Sequence, residues 1–106
     1  MRSIEFEILL TLAAEERHGY AIIRDIETRS GGTLSVETGT LYRALQRLVE
    51  GDLVRPTDAP AGSNDDERRR FYAITPNGRR AAAAEAKRLA ILVDAARTAR
   101  LIPEGT

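Results

Sequence analysis

The chain has no cysteine among its 106 residues, which excludes disulfides and thiolate metal sites and leaves the redox environment unspecified. It has no tryptophan and one histidine, His18. A catalytic or metal-binding histidine needs partners that the sequence does not offer, so His18 reads as a turn or helix-capping residue. A Gly-rich phosphate loop and clustered inward carboxylates are also missing, and with them the material of an enzyme active site. Asp65, Asp66 and Glu67 stand together, but three adjacent acids in a loop lack the converging geometry of a cation site. No cofactor, no metal and no catalysis are expected. Neither a membrane-length apolar run nor anything like a signal peptide is present. The expectation is a soluble, cytoplasmic chain of one domain.

Excess charge is missing too: Lys plus Arg and Asp plus Glu each number 16. Neutrality argues against a nucleic-acid partner, but the distribution is uneven. Residues 68–100 carry nine Arg or Lys against two acids, and residues 1–67 carry seven against thirteen. Such asymmetry between halves points to a polyanionic or acidic partner, and equally to charges that solvate an exposed helix.

What is present is periodicity. Ile4–Ala14 is apolar too densely for a two-sided strand and reads as a buried first helix, ended by Glu15-Glu16-Arg17. His18-Gly19-Tyr20 opens a second helix to about Arg29. Its inward stripe is Ile22, Ile23 and Ile26, with Arg24, Asp25 and Glu27 outward and Tyr20 half-buried. Ser30-Gly31-Gly32 stops it. A third helix starts at Ser35, Glu37 or Thr38 and closes at Gly51. Leu41, Leu45 and Leu48 fall at i, i+4 and i+7 on one side of it, opposite Gly39, Arg43, Gln46 and Arg47. Those polar groups can reach base edges or phosphates. Gly39 lies either inside the first turn, allowing close approach to a phosphate, or in the tight turn before it.

Leu53-Val54-Arg55 reads as a strand ended by Pro56, residues 57–67 as a polar loop, and Arg69–Ile74 as the return strand, with Tyr72 and Ile74 on one face. Thr75-Pro76 then starts a long helix to about Leu101. In it Ala82, Ala86, Leu89, Val93 and Ala96 repeat at spacings of 4, 3, 4 and 3, a coiled-coil seam. A helix of that length outruns the domain, so the seam predicts a two-fold homodimer. The fold class is mainly α with a small β-hairpin: a winged helix-turn-helix over 1–75 and a dimerisation helix and tail over 76–106. In that layout a helix enters the major groove and a basic hairpin follows the flanking phosphates.

His18-Gly19-Tyr20, Gly39-Thr40-Leu41-Tyr42-Arg43-Ala44-Leu45, Arg47-Leu48, Gly51 with Leu53, Asp66–Arg70 with Tyr72, and Thr75-Pro76 with Gly78-Arg79 together resemble the PadR family of transcriptional regulators, from about Ile8 to Leu101. The resemblance implies a dimeric winged-helix repressor on an inverted repeat of double-stranded DNA, with the C-terminal helix swapped across the dimer. By position it implies that Thr40, Tyr42, Arg43 and Arg47 sit at the DNA, with Thr38 and Gly39 at the start of the same helix. Tyr20 would stand close to the backbone with His18, and Arg68, Arg69 and Arg70 would line the wing. Relatives that hold planar drugs do so between aromatic residues at the dimer centre. This chain has none in its long helix, so an effector that relieves repression would be of another kind, phenolic or otherwise. Relatives often carry Ser-Pro where this chain has Glu37-Thr38, an acid on the DNA side. A different reading, a winged helix that binds a protein through the same face, is open on the fold alone.

Overall fold

In the computed structural model, which describes residues 1–58 and 70–103, four helices surround a small sheet. The elements in chain order are α1 (Ser3–Ala14), β1 (Arg17–His18), α2 (Gly19–Arg29), α3 (Thr38–Glu50), β2 (Val54–Thr57), β3 (Phe71–Ile74) and α4 (Pro76–Thr98). The sheet is antiparallel with order β1-β3-β2. No helix among the described residues is long and apolar enough to cross a membrane.

The helices close on one core because each brings an apolar stripe to it. Ile8, Leu9 and Leu12 come from α1, Ile22, Ile23 and Ile26 from α2, and Leu41, Ala44, Leu45 and Leu48 from α3. Val54 and Tyr72 seal the sheet side. The stripes expected on α2 and α3 are thus the ones that are buried. Thr11, 2 % exposed, is the polar intruder. Its hydroxyl donates to Asp25 Oδ2 at 2.6 Å, and Arg29 holds the same oxygen at 3.0 Å. Asp25 therefore braces α1 against α2 instead of simply facing outward.

Glu27 departs from expectation in the same way. Its carboxylate accepts the Val36 N–H at 3.0 Å and pins the turn that leads into α3. That turn begins where Gly31 (φ 68°) and Gly32 (φ 82°) take the left-handed conformation open to glycine. At the far end of α3, Asp52 (φ 60°) is the left-handed residue, while Gly51 (φ −85°) is not. Asp tolerates this region better than most side chains, and here its carbonyl and carboxylate are both held by the start of α4.

The sheet has one more strand than the hairpin expected. Arg17 and His18 pair with Tyr72 and Phe71, so β3 is central and both Tyr72 and Ala73 are buried. Tyr72 and Ile74 both meet the helical core as expected, and Ala73 is covered in addition. Pro56 lies within β2, opposite Tyr72. An edge strand tolerates proline because its N–H side need not join the ladder.

Thr75 caps α4 as expected, its hydroxyl accepting from Gly78 N–H at 2.9 Å with Pro76 at the first position. The helix ends at Thr98, short of Leu101, where Arg100 (φ 63°) turns left-handed and Leu101 N–H closes on Ala96 O at 2.9 Å. Its start packs on α1 and β3. At 1.5 Å per residue its 23 residues span about 35 Å, which accounts for much of the 50 Å long axis of the molecule.

Candidate nucleic-acid interface

The exposed side of α3 is built from its first two turns. Leu41, Ala44 and Leu45 turn into the core, which forces Thr38, Gly39, Thr40, Tyr42 and Arg43 outward, where all five are exposed. Glu37 precedes them as the N-cap residue, but its carboxylate makes no capping bond. Gly39 is the second residue of the helix, so the reading inside the first turn holds. The nearest side-chain atoms to a Cβ there would be those of the Arg43 guanidinium. The Arg43 guanidinium also approaches the Thr40 hydroxyl at 3.4 Å, a long hydrogen bond. Its charge is therefore available to an outside acceptor.

Tyr42 is held at an angle by α2. The phenol lies over Gly19, where any Cβ would overlap its hydroxyl. Gly19 is buried for this reason, and it links the HGY and GTLY segments in space. His18 caps α2, Nδ1 accepting the Ala21 N–H at 3.1 Å, and its ring meets Phe71 edge-on at 5.4 Å. The capping role read from the sequence is the one observed. Tyr20 is more open than expected, 58 % exposed, and its neighbour in the next turn is Arg24, whose guanidinium lies 6.0 Å from the ring centre. Arg24 belongs to this surface and the sequence reading left it aside. Its position four residues beyond Tyr20 on one helix face was the available signal.

Arg47 faces elsewhere. Its Nε donates to Glu5 Oε2 on α1 at 2.7 Å, and the residue is partly buried. Partial burial raises the Glu5 carboxyl, but the Arg47 hydrogen bond, the Arg2 backbone N–H and both arginine charges outweigh it, leaving the pKa below the ordinary value. Asp25 is lowered as well, first by the Thr11 hydroxyl, then by Arg29 against the cost of burial.

On the wing, Arg68 and Arg69 lie outside the described residues, as do Asp65, Asp66 and Glu67. Arg70 is exposed and shares an open groove with Arg55, Pro56, Thr57 and Asp58. Arg55 was not among the expected contacts. Being exposed on the edge strand, it adds a second cation to the described part of the wing. Tyr72, behind the wing, is raised by burial and then by the Tyr42 phenol, with Arg70 opposing.

Of the α4 seam, Ala82 packs against the chain's own core. Leu89 and Ala96 are half-buried and Ala86 and Val93 are exposed, beside Ile91 and Leu92, 61 % and 52 % exposed.

Residues 8–84 match the transcriptional regulator PadR-like family. A protein of Streptomyces fradiae transposon TN4556, an uncharacterized 37.1 kDa product, is 40 % identical over 85 residues, which are 80 % of this chain and 22 % of that relative's length. The chain thus spans about a fifth of that relative. Among solved structures, a PadR family transcription regulator from Clostridium difficile R20291 superposes with a TM-score of 0.74 at 19 % identity, covering 92 % of this chain and 97 % of that one. Bacillus subtilis PadR in complex with operator DNA gives 0.66 at 20 % identity, covering 80 % and 47 %. The chain belongs to the PadR-like family of transcriptional regulators, and its fold is the winged helix of that family.

Proposed function

We propose that the chain is a sequence-specific DNA-binding regulator that acts in the cytoplasm as a homodimeric repressor on an inverted repeat. The observation that carries this reading is the outward face Thr38–Arg43. Its threonine hydroxyls, tyrosine phenol and one uncommitted guanidinium stand at the start of a helix whose other face is wholly buried. Arg43 suits the O6 and N7 acceptors of guanine. Tyr20 with Arg24, and Arg55 with Arg70, supply hydroxyl and cationic groups for phosphates on either side. Two copies are favoured because Leu10 on α1 and Ile91, Leu92 and Val93 on α4 are apolar and uncovered. A small-molecule effector that releases DNA fits the same reading.

Fluorescence anisotropy with labelled duplexes from the protein's own upstream region, titrated across salt, tests it. About six phosphate contacts give a log–log slope near −5. Binding that barely responds to salt, or that treats all duplexes alike, overturns it and favours a protein partner for the same face. Repeating the titration with phenolic acids tests the effector.

A further inference from the structure

The recognition helix is held differently at its two ends. At its start, the Glu27 carboxylate holds the preceding turn through the Val36 N–H at 3.0 Å and the Tyr42 phenol lies over Gly19, while the side chains of Thr38, Thr40 and Arg43 make no bond to another element among the described residues. At its far end it is fastened twice. Arg47 Nε donates to Glu5 on α1 at 2.7 Å. Asp52, the left-handed residue just past the helix, accepts Asn77 Nδ2 on its carboxylate at 2.9 Å and the Thr75 hydroxyl on its carbonyl at 2.6 Å. Leu53 O accepts the Thr75 N–H at 3.1 Å, and Gly78 is a glycine where a Cβ would overlap that same Leu53 carbonyl.

The two fastenings act on different motions. The Glu5–Arg47 pair grips the flank of α3 and resists rolling about its axis. The joint between Asp52-Leu53 and Thr75–Gly78 grips its end and resists swinging away from α4. Their anchors, α1 and α4, are also the elements with uncovered apolar side chains, Leu10 on one and Leu92 and Val93 on the other. Whatever geometry a second copy imposes on these helices therefore reaches α3 through short polar bonds.

We propose that this two-point clamp sets which half-site spacing the dimer accepts. Glu5, Arg47, Asp52 and Asn77 are positioning residues for spacing specificity, and Arg47 is a clamp residue, not a base reader. The proposal rests on the dimeric reading above. Its physical basis is the helical pitch of DNA. One added base pair moves the second half-site by about 3.4 Å and turns it by roughly 35°. A stiffly held pair of helices cannot follow that turn, whereas a loosely held pair follows it in part.

The test is selection from a library of random duplexes long enough for two half-sites, followed by affinity measurement on sites one base pair longer and shorter than the selected spacing. The wild type is expected to lose about tenfold or more in affinity per base pair, comparable to a mismatch. Glu5→Gln, which removes the ion pair, and Asn77→Ala, an exposed side chain, should keep the half-site sequence and lose only about threefold. Arg47→Ala should behave likewise with an unchanged salt slope, where a lost phosphate contact would lower the slope by about one. Melting curves confirm that each variant is folded. Variants as spacing-selective as the wild type overturn the clamp. A changed base preference in Arg47→Ala makes Arg47 a reader and overturns its assignment. A wild type that selects no paired half-sites overturns the dimeric reading, and the clamp with it.

Discussion

The phenol of Tyr42 fills the space that a side chain at position 19 would need. One glycine on α2 thereby sets the tilt of a tyrosine on the recognition helix. Gly19→Ala should force the ring away, an overpacking cost of about 1–3 kcal/mol, seen as a melting temperature lower by about 4–8 °C per kcal/mol. The check is a double-mutant cycle. In a Tyr42→Ala background the same change should cost little, and equal costs in both backgrounds would show that Tyr42 is not the obstacle.

Arg43 and Arg70 should fail in different ways. Arg43→Ala is expected to cost about 1–3 kcal/mol on the preferred site and far less on other duplexes, because a base contact discriminates. Arg70→Ala should weaken binding to all duplexes alike and lower the salt slope by about one. Anisotropy on matched and scrambled duplexes separates the two. Identical behaviour of both variants would remove the division between reader and wing.

The sequence made the helices legible because each has strong punctuation: Gly31-Gly32 after α2 and Thr75-Pro76 before α4 end up where such residues act. The third strand was not legible. Arg17-His18 is too short to show a period, and it exists only because β3 offers it a partner. Gly51 closes α3 as its place in the sequence predicts, but the left-handed turn at Asp52 was not legible, because the bonds that hold it come from Thr75 and Asn77, 23 and 25 residues away. The same blindness to distance affected the site. Helical spacing put Arg43 and Arg47 one turn apart, but only the fold reveals that Glu5, 42 residues earlier, takes Arg47.

Acid should weaken the fold before it unfolds the chain. Glu5 and Asp25 both have folded-state pKa values below their ordinary ones. Their stabilisation is complete above the unfolded values of about 4.3 and 3.9, and is lost as the pH falls through the lower folded values. Tyr72, raised in the fold, acts in the opposite sense: its contribution is complete below about 10 and lost as the pH rises through its folded value. Urea midpoints should therefore drop on acidification below about pH 5, and drop less steeply in Glu5→Gln. An unchanged slope in that variant would mean that the Glu5–Arg47 pair is not part of the acid response.

The apolar face of α4 gives the last prediction. Val93 is 38 % exposed and Leu92 52 % exposed, on a helix that packs against its own core at Ala82. Exposed side chains of this size are uncovered in a single copy, so a charge placed there costs the monomer little, within about 0.5 kcal/mol. In a dimer the same charge is buried against apolar surface without a partner, which costs far more. Val93→Asp should accordingly leave the melting curve at high dilution nearly unchanged while shifting sedimentation from dimer to monomer. DNA affinity should fall with it, because one copy then binds without the second half-site. A variant that still sediments as a dimer would move the interface to the uncovered Leu10 on α1, and Leu10→Asp would be the variant that dissociates.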